Sequence, residues 1–352
     1  MGMRFTEDYR NDIEKVLMQV PKLEQLANHS IFLTGVTGMI VSTIADVLLW
    51  YNRERNAHIM LFFAGRDKER VVNRFPFYKE GVDYSFVYFD ATATDDMNLK
   101  VDYIINGASH ADPKSFVAQP VETMLASLNG VNTLLRMAKD HRAKRFLQIS
   151  SSEVYGKKET KEPYCEKEYG YVDIMNPRAC YPCAKRAADT LCISYAAEYG
   201  VDVVIIRPGH IYGPSITQSD SRVSSEFIRL AASGKNLTMK SAGLQMRSYC
   251  HTLDCASAIL VVLLNGEPAT VYNVSNKESV VTIREMAEAF AEAGNVRLEI
   301  TESTEAEKRG YNMMDNSSLD ATRLENLGWK AMFRMKEGAK RTLEEYKNEY
   351  NK

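Results

Sequence analysis

A short apolar run, Ile31-Phe32-Leu33-Thr34, passes directly into Gly35-Val36-Thr37-Gly38-Met39-Ile40-Val41 and then into a helical stretch reaching about Asn52. This feature constrains the fold more than any other, because a strand that turns on glycine into a helix is one half of a dinucleotide-binding βα unit. Gly35 allows the tight turn and Gly38 lets the backbone approach a pyrophosphate, while the helix offers unpaired N–H groups and a positive dipole end to the phosphates. Thr37, Met39 and Ile40 complete the loop expected to touch such a ligand. Val41 stands where a GxxGxxG pattern has its third glycine, so the helix is expected to lie slightly further from its neighbour.

The alternation of strand and helix continues. Residues 59–63 read as a second strand that ends in Ala64-Gly65-Arg66-Asp67 rather than in an acidic residue. A carboxylate there would suit the adenosine ribose of NAD, whereas Arg66 suits the 2'-phosphate of NADP or is simply a surface residue at a helix start. Residues 84–89 and 103–106 are further strands. Asp90 and Ala91 follow the first and are expected to border the adenine, and Ala108 follows the second at a strand end facing the cofactor. Residues 116–141 read as one long helix with more apolar positions than a single face needs, which predicts packing on two sides and a homodimer. A strand at 146–149, a helix at 181–199 and a strand at 203–206 lead into a turn-rich loop over 207–214, after which short helices and strands mix. The expected fold is α/β: a Rossmann-type doubly wound parallel sheet with a smaller C-terminal α/β lobe and an added N-terminal helix, broken at Pro21. The expected division is a helical extension over 1–29, an NAD(P)-binding domain over 30–208, and a mainly substrate-binding lobe over 209–352, partly interleaved with that domain.

Composition narrows the function classes. With 44 basic against 46 acidic side chains, the formal charge of -2 argues against electrostatic binding to nucleic acid or a membrane surface, so an anionic ligand must be met by local donors. No apolar run approaches the roughly 20 residues that span a bilayer, and the charged N-terminal stretch does not read as a secretory signal, which places the chain in the cytoplasm. The six cysteines are expected as reduced thiols. Cys180 and Cys183 form a CxxC without the second pair a metal site would need, so no metal is expected.

The chemistry is expected between residues 146 and 185. Ser151 follows a strand, and thirty residues later Tyr181 and Lys185 lie four apart, on one face of a helix. A free phenol titrates near pH 10, and a neighbouring ammonium favours its phenolate. That phenolate can take a proton from a substrate alcohol as hydride leaves for a nicotinamide, with the Ser151 hydroxyl holding the alcohol in line. Alone, the Tyr and Lys spacing also fits a solvated helix face.

Taken in order, these landmarks resemble the extended short-chain dehydrogenase/reductases, specifically the nucleotide-sugar epimerases, dehydratases and decarboxylases, over about residues 30–345. The segments Asn176-Pro177-Arg178-Ala179-Cys180-Tyr181, Ser151-Ser152-Glu153-Val154-Tyr155-Gly156 and Ser221-Arg222-Val223 look most like those of UDP-glucuronate decarboxylases. The resemblance implies transient oxidation at sugar C4 by bound NAD, loss of carbon dioxide from the resulting β-keto acid, and return of the hydride. It further implies that Tyr181 is the base, that Lys185 tunes it and holds the nicotinamide ribose, and that Ser151 orients the 4-hydroxyl. Glu153 then works near C5, while Arg178, Arg222 and Arg247 meet the nucleotide sugar; the structural alternatives are a turn-capping carboxylate for Glu153 and surface ion pairs for Arg222 and Arg247, and His210 either hydrogen-bonds a phosphate or sugar hydroxyl or is a packed loop histidine. The alternatives are a 4-epimerase or 4,6-dehydratase on the same scaffold, and a non-catalytic nucleotide-binding protein. Cys183, where decarboxylases commonly carry Glu, and His210, where Asn usually precedes the YGP turn, depart from the pattern.

Overall fold

The computed structural model describes residues 6–109, 111–301 and 314–350. Seven strands make the central sheet: β1 (Ser30–Thr34), β2 (Met60–Gly65), β3 (Ser85–Tyr88), β4 (Tyr103–Asn106), β5 (Arg145–Ile149), β6 (Val203–Pro208) and, from the C-terminal half, β10 (Thr270–Val274). Their order is β10-β6-β5-β4-β1-β2-β3 and every pairing is parallel, the arrangement of a Rossmann-type sheet. All five residues of β1 are buried, as expected for a strand covered on both faces. Ile31 and Leu33 pack with α2 (Met39–Arg55) and α8 (Thr252–Asn265), whereas Phe32 points the other way, into the core shared with α5 (Pro120–Asp140) and α6 (Cys180–Tyr199).

The sheet direction reverses at β1. The chain runs outward through β2 and β3, then returns to place β4 on the other side of β1, where Thr34 pairs with Asn106. A crevice therefore opens above the C-terminal ends of β1 and β4, the place where such sheets bind ligands.

The N-terminal extension is α1 (Glu7–Gln19), capped by the Thr6 side chain, and a 3₁₀ turn at Leu23–Leu26 beyond Pro21; Phe5, where the expected helix begins, lies outside the described residues. Ile13, Val16 and Leu17 are buried, with α1 packed on α2 and α8, and Tyr9 hydrogen bonds at 3.2 Å to Asp46, itself paired with Arg74 at 2.7 Å.

Two expectations need correction. Residues 116–141 are not one helix: α4 (Pro113–Ala118) follows α3 (Lys68–Arg74) in chain order, Gln119 leaves the helical region at φ -139°, and α5 restarts at Pro120. Proline disfavours helix in the residue before it and suits the first helical position itself. The surplus apolar residues fall at this break, where Val117, Val121, Met124 and Leu125 are exposed, while Val131, Leu134 and Leu135 enter the core.

The stretch 207–214 is also more regular than a loop. β6 continues to Pro208, and after Gly209 the short β7 (His210–Tyr212) pairs with β9 (Met246–His251), so the chain swings from the central sheet into a second one. A side chain at Gly209 would place its Cβ 2.8 Å from the Ser248 carbonyl oxygen, which explains the glycine at the crossing. The second sheet adds β11 (Val280–Thr282) and β13 (Asn316–Ser317) to β9, and β8 (Leu237–Met239) pairs with β12 (Leu298–Ile300) nearby. Against them pack α7 (Val223–Ala232), α9 (Ile283–Gly294) and the C-terminal helix Met335–Tyr350.

Candidate functional site

Gly35 adopts φ +71°, and a Cβ there would lie 2.6 Å from the Gly107 carbonyl oxygen, so the loops after β1 and β4 meet closely only because both carry glycine. The Gly38 N–H donates to the Gly35 carbonyl at 2.8 Å, and Gly38 is the N-cap of α2 with no side chain capping that helix end. Its first N–H groups are thus left for a ligand, a geometry that fits a dinucleotide pyrophosphate. Thr37 and Ile40 are half-buried on this loop and Met39 is buried beneath it. Val41 is accommodated opposite Gly107. It is buried, and a Cβ at Gly107 would collide with its Cγ2, so the bare backbone at 107 makes the room that glycine at 41 would have supplied.

Arg66 follows β2 at the surface, and no ion pair to it occurs among the described residues. Asp90 accepts hydrogen bonds from the Thr92 N–H (2.9 Å) and hydroxyl (2.8 Å), forming a local turn, and Ala91 packs against Gly130 of α5. The Ala108 N–H donates to the Thr34 hydroxyl at 3.1 Å, and that hydroxyl donates to Asn106 at 2.6 Å. From Asn106 the chain of bonds continues to Gln148 at 2.8 Å and from Gln148 to the Ile149 carbonyl at 3.2 Å. Lys185 ends the chain, its Nζ donating to the same carbonyl at 3.0 Å.

Ser151 caps a 3₁₀ turn over Ser152–Tyr155 by accepting from the Glu153 N–H at 3.2 Å. Tyr181 lies in the first turn of α6 with its ring stacked on Phe116 at 4.3 Å, and the Lys185 Nζ is 5.8 Å from the centre of that ring. Burial pushes the phenol up to about 12, against a hydrogen bond from Ser151 that lowers it. Burial also brings the Lys185 amine down to about 8, with Asp189 opposing the fall. The local electrostatics therefore keep the phenol protonated at neutral pH in the ligand-free protein, and the lysine is anchored to the end of β5 with two of its three protons unspent.

Glu153 does not cap the turn. Both its oxygens accept from Arg178, at 3.0 and 3.2 Å, so the two residues form one forked pair beside Tyr181, with the guanidinium also over Phe116. Arg222 pairs with Asp220 and reaches the Met39 Sδ at 4.0 Å, which joins the C-terminal lobe to the glycine loop. Arg247 differs from both. It is 3% exposed, it donates to the Met246 carbonyl at 2.8 Å, and no carboxylate lies within ion-pairing distance of it among the described residues. Burial lowers its pKa, and Tyr249, Asp315 and Glu153 work against that. A buried guanidinium with no carboxylate in ion-pairing distance among the described residues is costly, and an arrangement of this kind suits an anion. His210 adjoins it, with its Nδ1 enclosed and unpartnered.

Cys180 is buried with its Sγ 3.7 Å from the Phe116 carbonyl, Cys183 is half-buried, and the described residues contain no group of side chains able to hold a metal. The geometry also brings in residues that the sequence reading passed over. Asp112 accepts from both the N–H (3.1 Å) and the hydroxyl of Ser221, tying the segment after β4 to the one that carries Arg222. Asp189, one turn beyond Lys185, pairs with Arg207 at 3.0 Å with both side chains buried. The i, i+4 spacing of Lys185 and Asp189 was visible in the sequence, whereas nothing local connects Asp112 with Ser221.

Residues 31–275 match the NAD dependent epimerase/dehydratase family. The chain is 29% identical over 321 residues to UDP-glucuronic acid decarboxylase 1 of Xenopus tropicalis, covering 91% of this chain and 72% of that protein. It is 31% identical over 318 residues to UDP-glucuronic acid decarboxylase 5 of Arabidopsis thaliana, covering 89% and 87%. Among solved structures, dTDP-glucose 4,6-dehydratase of Bacillus anthracis in complex with NAD superposes with a TM-score of 0.74 at 20% identity, covering 92% of this chain and 98% of that one.

Proposed function

The chain belongs to the NAD dependent epimerase/dehydratase family, and we propose that within it this protein is a nucleotide-sugar enzyme that decarboxylates UDP-glucuronate by transient oxidation at sugar C4. NAD is the cofactor, and when bound it supplies the hydride acceptor and donor. The uncapped start of α2 and the bare backbone at Gly35, Gly38 and Gly107 hold its phosphates, while Lys185 directs its remaining N–H groups to the nicotinamide ribose. Ser151 orients the 4-hydroxyl and Tyr181 takes its proton. Because burial, only partly offset by the Ser151 hydrogen bond, leaves the phenol at about 12 in the ligand-free protein, its ionisation draws on the positive charge that the oxidised ring would add beside Lys185. Arg247, Arg222 and His210 receive the diphosphate.

The observation that carries decarboxylation over elimination is the Glu153–Arg178 fork. Glu153 holds Arg178 with both oxygens, an ion pair that opposes its service as the base for the C5 proton that dehydration requires. Loss of carbon dioxide from a β-keto acid needs no such base. The exposed apolar residues Val117, Val121, Met124 and Leu125 support a homodimer formed through α4 and the start of α5. Free cysteines support a reducing cytoplasmic setting; no helix among the described residues is long and apolar enough to cross a membrane.

The test is to incubate the protein with UDP-glucuronate, UDP-glucose, dTDP-glucose, GDP-mannose and CDP-glucose and weigh the products. Loss of carbon dioxide from UDP-glucuronate is the expected result. Loss of water from any of the others, or unchanged mass with altered retention, replaces the proposal by a dehydratase or an epimerase.

A further inference from the structure

His210 opens β7 directly opposite Tyr249 of β9, with ring centres 5.7 Å apart. Its Nδ1 is enclosed by protein and finds no hydrogen-bond partner among the described residues. The charges that act on the ring are both positive: Arg247 from β9 and Arg222 from the start of α7. Among the described residues no carboxylate acts on the ring itself. Asp220 is taken by Arg222, and Asp315 and Glu153 act on Arg247, Glu153 while bound to Arg178. Tyr249 is neutral, its phenol pushed up by burial, and Asp254, the carboxylate at the start of α8 behind β7, acts on Tyr212 rather than on His210.

We propose that His210 takes up a proton from solvent when the nucleotide-sugar diphosphate binds, turning a pair of guanidinium groups into a clamp of three cations. This rests on the reading of Arg222, Arg247 and His210 as the diphosphate seat. Without a ligand, burial and the two guanidinium groups bring the imidazole down to about 3, so the ring is neutral and one nitrogen is left without a bond. A diphosphate diester brings two negative charges to the same place and reverses the sign of the local field. A neutral ring has one N–H and one lone pair, whereas the imidazolium has an N–H on both nitrogens and a full positive charge, so the nitrogen that faces the phosphate donates a charge-assisted bond, which is the stronger. Asparagine at this position would bind the phosphate without any exchange of protons, whereas histidine makes affinity depend on pH.

The test uses holoenzyme carrying Tyr181→Phe, which binds without turnover, titrated calorimetrically with UDP-glucose, dTDP-glucose and GDP-mannose. None of these diesters has a phosphate group that titrates near neutrality. Enthalpies measured in buffers of different ionisation heat at pH 6.0, 7.0 and 8.0 count the protons bound per ligand. The expected result is uptake approaching one proton at pH 6.0 and declining by pH 8.0, with affinity weakening by up to about tenfold per pH unit where coupling is complete. The further substitution His210→Asn abolishes the uptake while measurable binding remains. Binding without proton uptake, or uptake that survives His210→Asn, overturns this inference and leaves the proposed function standing. Failure of all three probes to bind removes the diphosphate seat and the proton coupling together.

Discussion

Arg207→Met tests the architecture beneath the catalytic helix. Arg207 sits near the end of β6 and donates to one Asp189 oxygen from Nε and Nη2, at 3.1 and 3.0 Å. It also donates to the Glu166 carbonyl at 3.3 Å and to the Tyr169 hydroxyl at 3.0 Å, with its guanidinium 5.0 Å from the Tyr155 ring centre. Side-chain exposure is 4% for Arg207 and 7% for Asp189, so neither charge is screened by water. Methionine fills much of the same volume but leaves the carboxylate alone, and breaking a buried pair in this way costs about 3–5 kcal/mol. At about 2.1 cal/mol/K per residue, 352 residues carry an unfolding entropy of about 0.7 kcal/mol/K, so that cost lowers the melting temperature by about 4–7 °C. Burial already raises the Asp189 pKa and Arg207 opposes the rise; without it the carboxyl is raised further and neutralises as pH falls, so the deficit is larger at pH 8 than at pH 5. Thermal melts followed by far-ultraviolet circular dichroism at both pH values measure this. Arg207→Met/Asp189→Leu should recover most of the loss, since a matched apolar replacement removes both charges. A drop below about 1 °C, or a double variant no more stable than the single one, refutes the claim that this pair is a desolvated unit.

Three further outcomes are expected. Tyr181→Phe keeps the fold, because the stacking on Phe116 does not involve the hydroxyl, and lowers turnover by about two to four orders of magnitude; unchanged turnover removes Tyr181 from the mechanism. Gly35→Ala must place a Cβ in the left-handed region, at about 1–2 kcal/mol, and push against the Gly107 backbone, so fluorescence titration should show NAD binding at least about tenfold weaker. His251 is fully enclosed and burial brings its pKa down to about 3, so its unfolded form gains a proton below about pH 6.5 that the folded form does not. Stability from this group is therefore lost as pH falls, by about 2 kcal/mol between pH 6.5 and 5, and His251→Gln should lessen the acid destabilisation in urea melts by that amount; an identical acid limb in both proteins contradicts it.

The parts of the fold that were legible in the sequence are those governed by local rules. The β1 strand, the glycine turn and the α2 helix follow from apolar spacing and from backbone freedom at Gly35, and the sheet that contains them is the one expected. The break in residues 116–141 was also written in the chain, at Pro120, but the apolar count outweighed it. β7 could not be read because three residues, His210 to Tyr212, carry no period of their own and become a strand only through pairing with β9, almost forty residues later. The same limit applies at the site. Spacing brought Tyr181 and Lys185 to one helix face, but it could not show that the lysine amine is fixed on Ile149, that Glu153 is paired with Arg178, or that Arg247 is buried with no carboxylate in ion-pairing distance among the described residues. Each of those depends on which distant side chain arrives first.

The accommodation between Val41 and Gly107 gives the two positions an order of exchange. Alanine at 107 collides with the Val41 side chain and crowds the Thr34 carbonyl oxygen at 3.2 Å, and glycine at 41 removes the first of these obstacles. A laboratory lineage that introduces alanine at 107 is therefore expected to shrink residue 41 first, and randomising 107 alone should return chiefly the parent residue.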